Sequence, residues 1–342
     1  MQRDEGEQKE KIGLSYVISF GPFSSGEIIR TAILAEKCGF DSVFVPEHYY
    51  DRESPSILGA ISQKTNKLRM GTSVINPYTR YPSLIAMTAL TLDELSDGRA
   101  FLGLGSGGVI GSLEHGIPNE FTGQKFSHPL GHLKELTEVL RLLFSGEHVN
   151  FKGNFYSLDN VKLNFAPVQK AIPIYFGQQG PKMMELAGQV ADGVVITLCC
   201  TIKYVEQVIQ IIKSSETKHN RSQNSVEFAA RIITSLDDDR REAIRRAKHL
   251  VGRVFIHPGA RPVMEASGVN LDTLAMKQAI ERGRPEQLEK LVSDEVVEMT
   301  TACGTKREIL GRIEEFRKAG VVHPLIVPIG QNYEEIIQTF AH

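Results

Sequence analysis

The chain has 342 residues with 39 Lys and Arg against 41 Asp and Glu, and its formal net charge of −2 gives no basic footprint for nucleic acid. No apolar run approaches the length of a membrane span, and the first residues lack the apolar core of a secretory signal. Cys38, Cys199, Cys200 and Cys303 have neither zinc spacing nor a CxxC motif, so they fit a reducing cytoplasm and no metal centre.

The polar stretch 1–11, MQRDEGEQKEK, reads as a disordered tail, and the chain from residue 12 to 342 reads as a single domain. From there apolar runs and amphipathic runs alternate. Strand one is expected at 12–18 and helix one at 25–38, with Gly39 as its stop. Strand two follows at 42–46 and helix two at 55–64. Strand three, 68–75, ends at Asn76-Pro77-Tyr78. Helix three, 82–95, opens on a proline suited to a first helical turn. Its inward positions are expected at Leu84, Ile85, Thr88, Leu92 and Leu95. After Asp97-Gly98, strand four at 100–104 runs into Gly103, Gly105, Gly107 and Gly108.

Helix four is expected at 132–143. The stretch 146–165 alternates polar with apolar residues around Lys152-Gly153, which predicts an inserted β-hairpin. Strand five (172–176), helix five (181–190), strand six (193–197), helix six (204–213), strand seven (226–236) and helix seven (237–251) follow. A second, largely helical insertion spans 256–301, and strand eight (323–327) with a closing helix (333–340) completes the chain. Eight strand–helix pairs predict an α/β fold of the (β/α)8 TIM-barrel type. Such barrels run to about 250 residues, so the excess falls in the two insertions, which at the active face often form lids. A doubly wound sheet is the rival. Gly103-x-Gly105-x-x-Gly108 matches a dinucleotide fingerprint, but no helix opens directly after it and no acidic strand end lies at the needed distance.

NPYTRYPSLIAMTALTLDELSDGRAFLGLGSGG (76–108), Val45-Pro46-Glu47-His48-Tyr49, IPIYFGQQGP (172–181) and Ala191-Asp192-Gly193 share one order and spacing. In these segments the chain resembles the luciferase-like, flavin- and F420-dependent superfamily. Within it, the chain is most similar to the coenzyme F420-dependent methylenetetrahydromethanopterin reductases. The resemblance implies coenzyme F420 as cofactor, with FMN as the alternative. It also implies a homodimer or dimer of dimers through helices two and three, for which Ile57, Leu58, Ile61, Ala86 and Leu90 offer apolar faces.

In a barrel the reacting groups stand after the strands. Strand two delivers Glu47 and His48. The imidazole suits proton transfer because it titrates near neutrality, with Glu47 positioning the strand end or the ring. After strand three come Thr72, Ser73, Val74 and Asn76. The resemblance implies a non-prolyl cis bond at Ser73–Val74, bulging against the back of the cofactor ring. Asn76 and Arg80 either reach the cofactor or cap the turn before Pro82. Strand four delivers Gly105, Ser106 and Gly107, and strand five Gly177, Gln178, Gln179 and Gly180. The second turn is the better phosphate cradle, because Pro181 opens a helix whose free N–H groups favour an anion. Asp93 and Glu94 of TLDELSDGR are expected to be structural. No HExxH, GxSxG or P-loop string occurs.

Two positions depart from the resembling enzymes, which carry carboxylates where this chain has Ser15 and Gly108. The leading expectation is an F420-dependent oxidoreductase acting on a small organic molecule, methylenetetrahydromethanopterin or a related pterin among them. An FMN-dependent monooxygenase and a non-catalytic flavin-binding barrel subunit stand as alternatives.

Overall fold

The structure is a computed structural model and describes residues 10–17, 23–47, 51–106, 128–177 and 179–341. Its strands are β1 (Gly13–Ser15), β2 (Ser42–Val45), β3 (Arg69–Thr72), β4 (Ala100–Leu104), β5 (Val149–Lys152), β6 (Ser157–Val161), β7 (Ile174–Phe176), β8 (Gly193–Ile196), β9 (Glu227–Leu236), β10 (Ala302–Gly304) and β11 (His323–Pro328). All but β5, β6 and β10 form a closed parallel ring in the order β9, β11, β1, β2, β3, β4, β7, β8, with β8 pairing back onto β9. The expected (β/α)8 barrel is therefore the fold. The short β10 extends the sheet beside the end of β9.

The helices are α1 (Ser25–Lys37), α2 (Ser54–Ser62), α3 (Pro82–Leu95), α4 (Pro129–Phe144), α5 (Pro181–Val190), α6 (Ile202–Lys218), α7 (Arg240–Ile256), α8 (Arg261–Ser267), α9 (Thr273–Glu281), α10 (Leu288–Leu291), α11 (Asp294–Thr300), α12 (Lys306–Lys318) and α13 (Tyr333–Gln338). β5 and β6 make the antiparallel hairpin expected of the first insertion. Helices α8 to α11 fill the second. The sequence reading missed β10 and α12. The latter carries a full capping box between Thr305 and Glu308 and buries Ile309, Ile313 and Phe316 along one face.

Side chains alternate along each strand, so the lumen is built in layers. At the amino end, Glu227 sits among Lys11 (2.5 Å), His323 (2.8 Å) and the Tyr175 hydroxyl (3.0 Å), and the other His323 ring nitrogen lies 2.9 Å from Ser42 Oγ. Burial pushes the Glu227 carboxyl up, but His323 and Lys11 outweigh it and hold the group well below the usual carboxylate range. Above this lies an apolar layer of Phe44, Phe101, Tyr175, Val195, Ala229 and Leu325. Two residues further along the strands come Gly103, Gly177, Thr197 and Arg231, with Ser73 just past the end of β3 and Ser15 of β1 in register with Phe44, and these line the floor of the carboxyl-terminal mouth.

TLDELSDGR is a structural clip, as expected. Asp93 is fully buried and accepts from the backbone N–H groups of Val168 (2.7 Å) and Gln169 (3.0 Å) and from the Gln169 side chain (2.6 Å). Arg99 donates to the carbonyls of Ser62, Thr65, Leu68 and Ser96 and to Thr65 Oγ1, tying the α2–β3 and α3–β4 turns together. Charge-assisted bonds of this kind are stronger than neutral ones.

Two expectations are corrected. On α3, Leu84 and Leu95 are exposed at 43% and 45%, while Ile85, Ala86, Ala89, Leu90 and Leu92 face the core. Positions 85, 86, 89, 90 and 92 are themselves at helical spacing, so the buried stripe is displaced around the helix from the expected one, and Thr88 is half-buried. The residues offered as an intersubunit face, Ile57, Leu58, Ile61, Ala86 and Leu90, are all buried within the chain itself. The apolar residues that α3 exposes are Leu84, Met87 and Leu95, with Tyr81 at its N-cap.

Candidate active site

β3 ends early. It stops at Thr72, and the Ser73–Val74 peptide that follows is cis, at the position the resemblance implied. Ile75 then returns to β4 as an isolated bridge, its N–H donating to Gly103 O (3.0 Å) and its carbonyl accepting from Gly105 N (2.9 Å). Thr72 latches the same pair of strands. Its hydroxyl donates to Gly103 O (2.8 Å) and accepts from Gly103 N (3.0 Å), so it is engaged within the protein.

The bulge explains the glycines around it. A Cβ on Gly103 would collide with the Thr72 carbonyl, and one on Gly105 with Val74 Cγ2. A Cβ on Gly177 would stand 2.7 Å from Val74 Cγ1. Val74 is thus a partly exposed wedge set between two glycines at the mouth of the barrel. The sequence reading gave Gly105 and Gly177 to a ligand's backbone approach. The structure supplies a nearer reason, which is room for Val74. Gly180 differs, because a Cβ there meets none of the described residues within 4 Å. It is the N-cap of α5, has extended backbone (φ −85, ψ 146) and makes no side-chain cap. Pro181 has no N–H, and those of Met183 and Met184 donate to Gly180 O (3.0 and 3.1 Å), which leaves the Lys182 N–H as the donor that the first turn of α5 can offer a ligand.

Asn76 caps its turn. Its Oδ1 accepts from Tyr78 N (2.9 Å) and Thr79 N (3.1 Å). Arg80, the other residue of that turn, bonds Glu47 (3.2 Å) and Glu53 (2.5 Å). Burial pulls the Arg80 pKa down, but these two carboxylates outweigh it and raise it. Glu47 also accepts from Ser54 Oγ (2.9 Å) and Ser54 N (3.3 Å). Its carboxylate thus ties the end of β2 to the start of α2 and to the β3–α3 turn. Among the expected site residues, His48, Gly107 and Gln178 lie outside the described residues. Ser106 is partly buried at the end of β4.

Gln179 reaches from the β7–α5 turn to β8. Its Nε2 donates to Thr197 Oγ1 (2.7 Å), and its backbone carbonyl accepts from the Tyr204 hydroxyl (2.8 Å). Its Oε1 is buried without a partner. A Cβ on Gly259 would lie 3.2 Å from that oxygen, so the second insertion begins directly on the rim. Thr201 and Ser267 (2.5 Å) tie the same insertion to the start of α6. The sequence reading named neither Thr197 nor Arg231. Both follow from counting two residues beyond the lumen-facing Val195 and Ala229. Among the described residues no group of His, Cys, Asp and Glu is placed to hold a metal ion.

The fold and this mouth define a class: a (β/α)8 barrel with a β3 bulge wedged between glycine turns at the end where ligands bind. The chain belongs to the family described as Luciferase-like monooxygenase, whose model matches residues 6–323. It is 34% identical over 312 residues to the 5,10-methylenetetrahydromethanopterin reductase of Archaeoglobus fulgidus, covering 89% of this chain and 90% of that one. The coenzyme F420-dependent tetrahydromethanopterin reductase structure from Methanopyrus kandleri superposes with a TM-score of 0.87 at 26% identity, covering 97% of each chain. An F420-dependent secondary alcohol dehydrogenase, solved with an F420–acetone adduct, superposes with a TM-score of 0.78 at 26% identity, again over 97% of each.

Proposed function

We propose that this protein is an F420-dependent oxidoreductase that moves a hydride between the deazaflavin and a small organic substrate. The observation that carries the reading is the Val74 wedge between Gly105 and Gly177, at the mouth where α5 begins from Gly180. Those residues fit a planar ring with a phosphorylated side chain. The wedge offers an apolar support, the small floor leaves depth, and the α5 N-terminus with Gly180 favours an anion. When bound, the deazaflavin supplies the hydride chemistry, and the protein supplies orientation and electrostatics.

Thr72 and Asn76 hold the wedge in shape through the bonds described above. Ser106 and the turn 177–180 serve the phosphate. His48 orients substrate and passes any accompanying proton, next in sequence to Glu47, whose carboxylate Arg80 and Ser54 hold. The second insertion acts as the lid over β7 and β8. The chain from residue 12 on acts as one catalytic unit. It works in the cytoplasm, in keeping with four unbridged cysteines, and as a homodimer that covers Leu84, Met87 and Leu95 on α3. No helix of the described residues is long and apolar enough to cross a membrane.

The test is paired titration of the purified protein with F420 and with FMN, followed by single-turnover reduction of the bound cofactor. Saturable F420 binding in preference to FMN supports the reading. Preference for FMN moves the protein to the oxygen-activating branch, and binding without turnover makes it a carrier.

A further inference from the structure

The lumen holds a second polar element that the cofactor reading does not use. Arg231 stands on β9 two residues beyond Ala229, so its side chain enters the lumen above the apolar layer. It leans across β11 to the end of β1, where Nη2 donates to the Tyr16 carbonyl (2.7 Å). Its Nε is enclosed and unpartnered. No carboxylate among the described residues pairs with it; the nearest titratable neighbour that bears on its charge is the Cys199 thiol. That thiol is itself buried, and burial pushes its pKa well up, which keeps it neutral. Beside Tyr16, Ser15 is fully buried with a hydroxyl that has no partner.

A guanidinium presents five donors in a planar fork. Here the described residues engage one of them. Burial pulls the Arg231 pKa down to about 10, so the group still carries its charge at neutral pH. A buried charge without a counter-charge is costly, and a ligand that brings one is favoured in proportion. The contrast with Arg99, Arg80 and Arg141 is direct. Arg99 is spread over four backbone carbonyls, Arg80 meets two carboxylates and Arg141 meets Asp192.

We infer that Arg231, with Ser15 beside it, is the substrate-recognition element of this mouth and takes an anionic oxygen group, a carboxylate or a phosphate, on the substrate. The inference rests on the mouth being the reactive site and deepens that reading by naming a substrate class. A carboxylate or phosphate would accept N–H bonds from the terminal nitrogens of the fork, since Nε is enclosed. The α5 N-terminus stands at the end of β7, two strands from β9 around the ring, so cofactor phosphate and substrate anion have separate donors.

The test uses acetate and inorganic phosphate as probes, titrated at constant ionic strength into the cofactor-free and the F420-loaded protein. F420 affinity is measured in parallel for wild type, Arg231→Gln and Arg231→Lys. The expected result is saturable binding of at least one anion, weakened about tenfold or more in Arg231→Gln, in keeping with hydrogen bonds to charged groups. Arg231→Lys should retain part of the affinity, and F420 affinity should be unchanged throughout. Tighter acetate than phosphate assigns a carboxylate, and the reverse a phosphate. The inference is overturned if neither anion binds wild type or if Arg231→Gln binds them equally well. It is also overturned if the variants lose F420 affinity in parallel, which would give the arginine to the cofactor. Should Arg231→Gln not fold, Arg231→Lys carries the same comparison. Failure of wild type to bind F420 would instead sink the cofactor reading, while the anion titration on cofactor-free protein still decides this one.

Discussion

The two ends of the lumen are both polar, and an apolar layer separates them, yet they treat their polar groups in opposite ways. At the amino end Glu227, Lys11, His323, Ser42 and the Tyr175 hydroxyl satisfy one another at 2.5 to 3.0 Å. At the carboxyl end Ser15 Oγ, Gln179 Oε1 and Arg231 Nε are buried without partners. A buried polar atom without a partner costs free energy, about 1–3 kcal/mol for a neutral group. Groups that close on one another stabilise the barrel. On the proposed reading, the open groups at the carboxyl end are kept for a ligand. The same fold thus separates stability from function along one axis, in keeping with the division of roles between the two faces of such barrels.

Substitutions at each end should break different properties. The largest effect is expected for His48→Ala, which should lower turnover by about 10²–10⁴-fold, the usual contribution of a general acid or base. Cofactor affinity should change little, and steady-state kinetics at saturating F420 would show it. Next comes Glu227→Ala. Removing one partner of a buried ion pair costs about 3–5 kcal/mol, so the denaturation midpoint should fall well below that of wild type while F420 affinity in the folded fraction is retained. A smaller effect is expected at Gly180, where a side chain meets open space inside the protein but would crowd a bound phosphate. Gly180→Val should weaken F420 binding by about tenfold, roughly 1.4 kcal/mol, with no change in Tm. Gly177→Val is the poorer probe, because its side chain would strike Val74 first.

The smallest effect is in the acid limb of stability. The Glu227 carboxyl is held below its ordinary value of about 4.3. Its stabilisation is complete above that pH, declines as pH falls below it toward the folded-state pKa, and vanishes below both. Tm measured against pH should fall more steeply below about pH 4 in wild type than in Glu227→Gln. Parallel acid limbs would remove Glu227 as a contributor.

The barrel was legible in the sequence because alternation of strands and helices is a local pattern. The structural part of the family string was legible through the resemblance rather than through local pattern, since Asp93 bonds Val168 and Gln169, 75 and 76 residues further along the chain. What escaped depended on distance in sequence. Arg231 and Ser15 come together only when β9, β11 and β1 are adjacent, and nothing local marks the arginine on a strand that reads as ordinary core. Glycines misled in a different way. Their clustering after β4 and β7 signalled close approach, but at Gly105 and Gly177 the approaching group is Val74 of this chain. The interface residues erred because periodicity identifies an apolar face without saying which partner covers it. On α3 the chain's own core takes Ile85, Ala86 and Leu90, leaving Leu84 and Met87 outside. The α12 helix had a readable signal in Thr305-Lys306-Arg307-Glu308, a capping box ahead of Ile309 and Ile313.

The most direct test of the central claim is a crystal structure of the complex with F420. The account predicts the deazaflavin ring resting on Val74 at the carboxyl end of the barrel, its phosphate at Gly180 and the first turn of α5, and Arg231 facing the open substrate side of the ring. A cofactor bound away from the Val74 wedge, or one whose phosphate is held by Arg231, would contradict it.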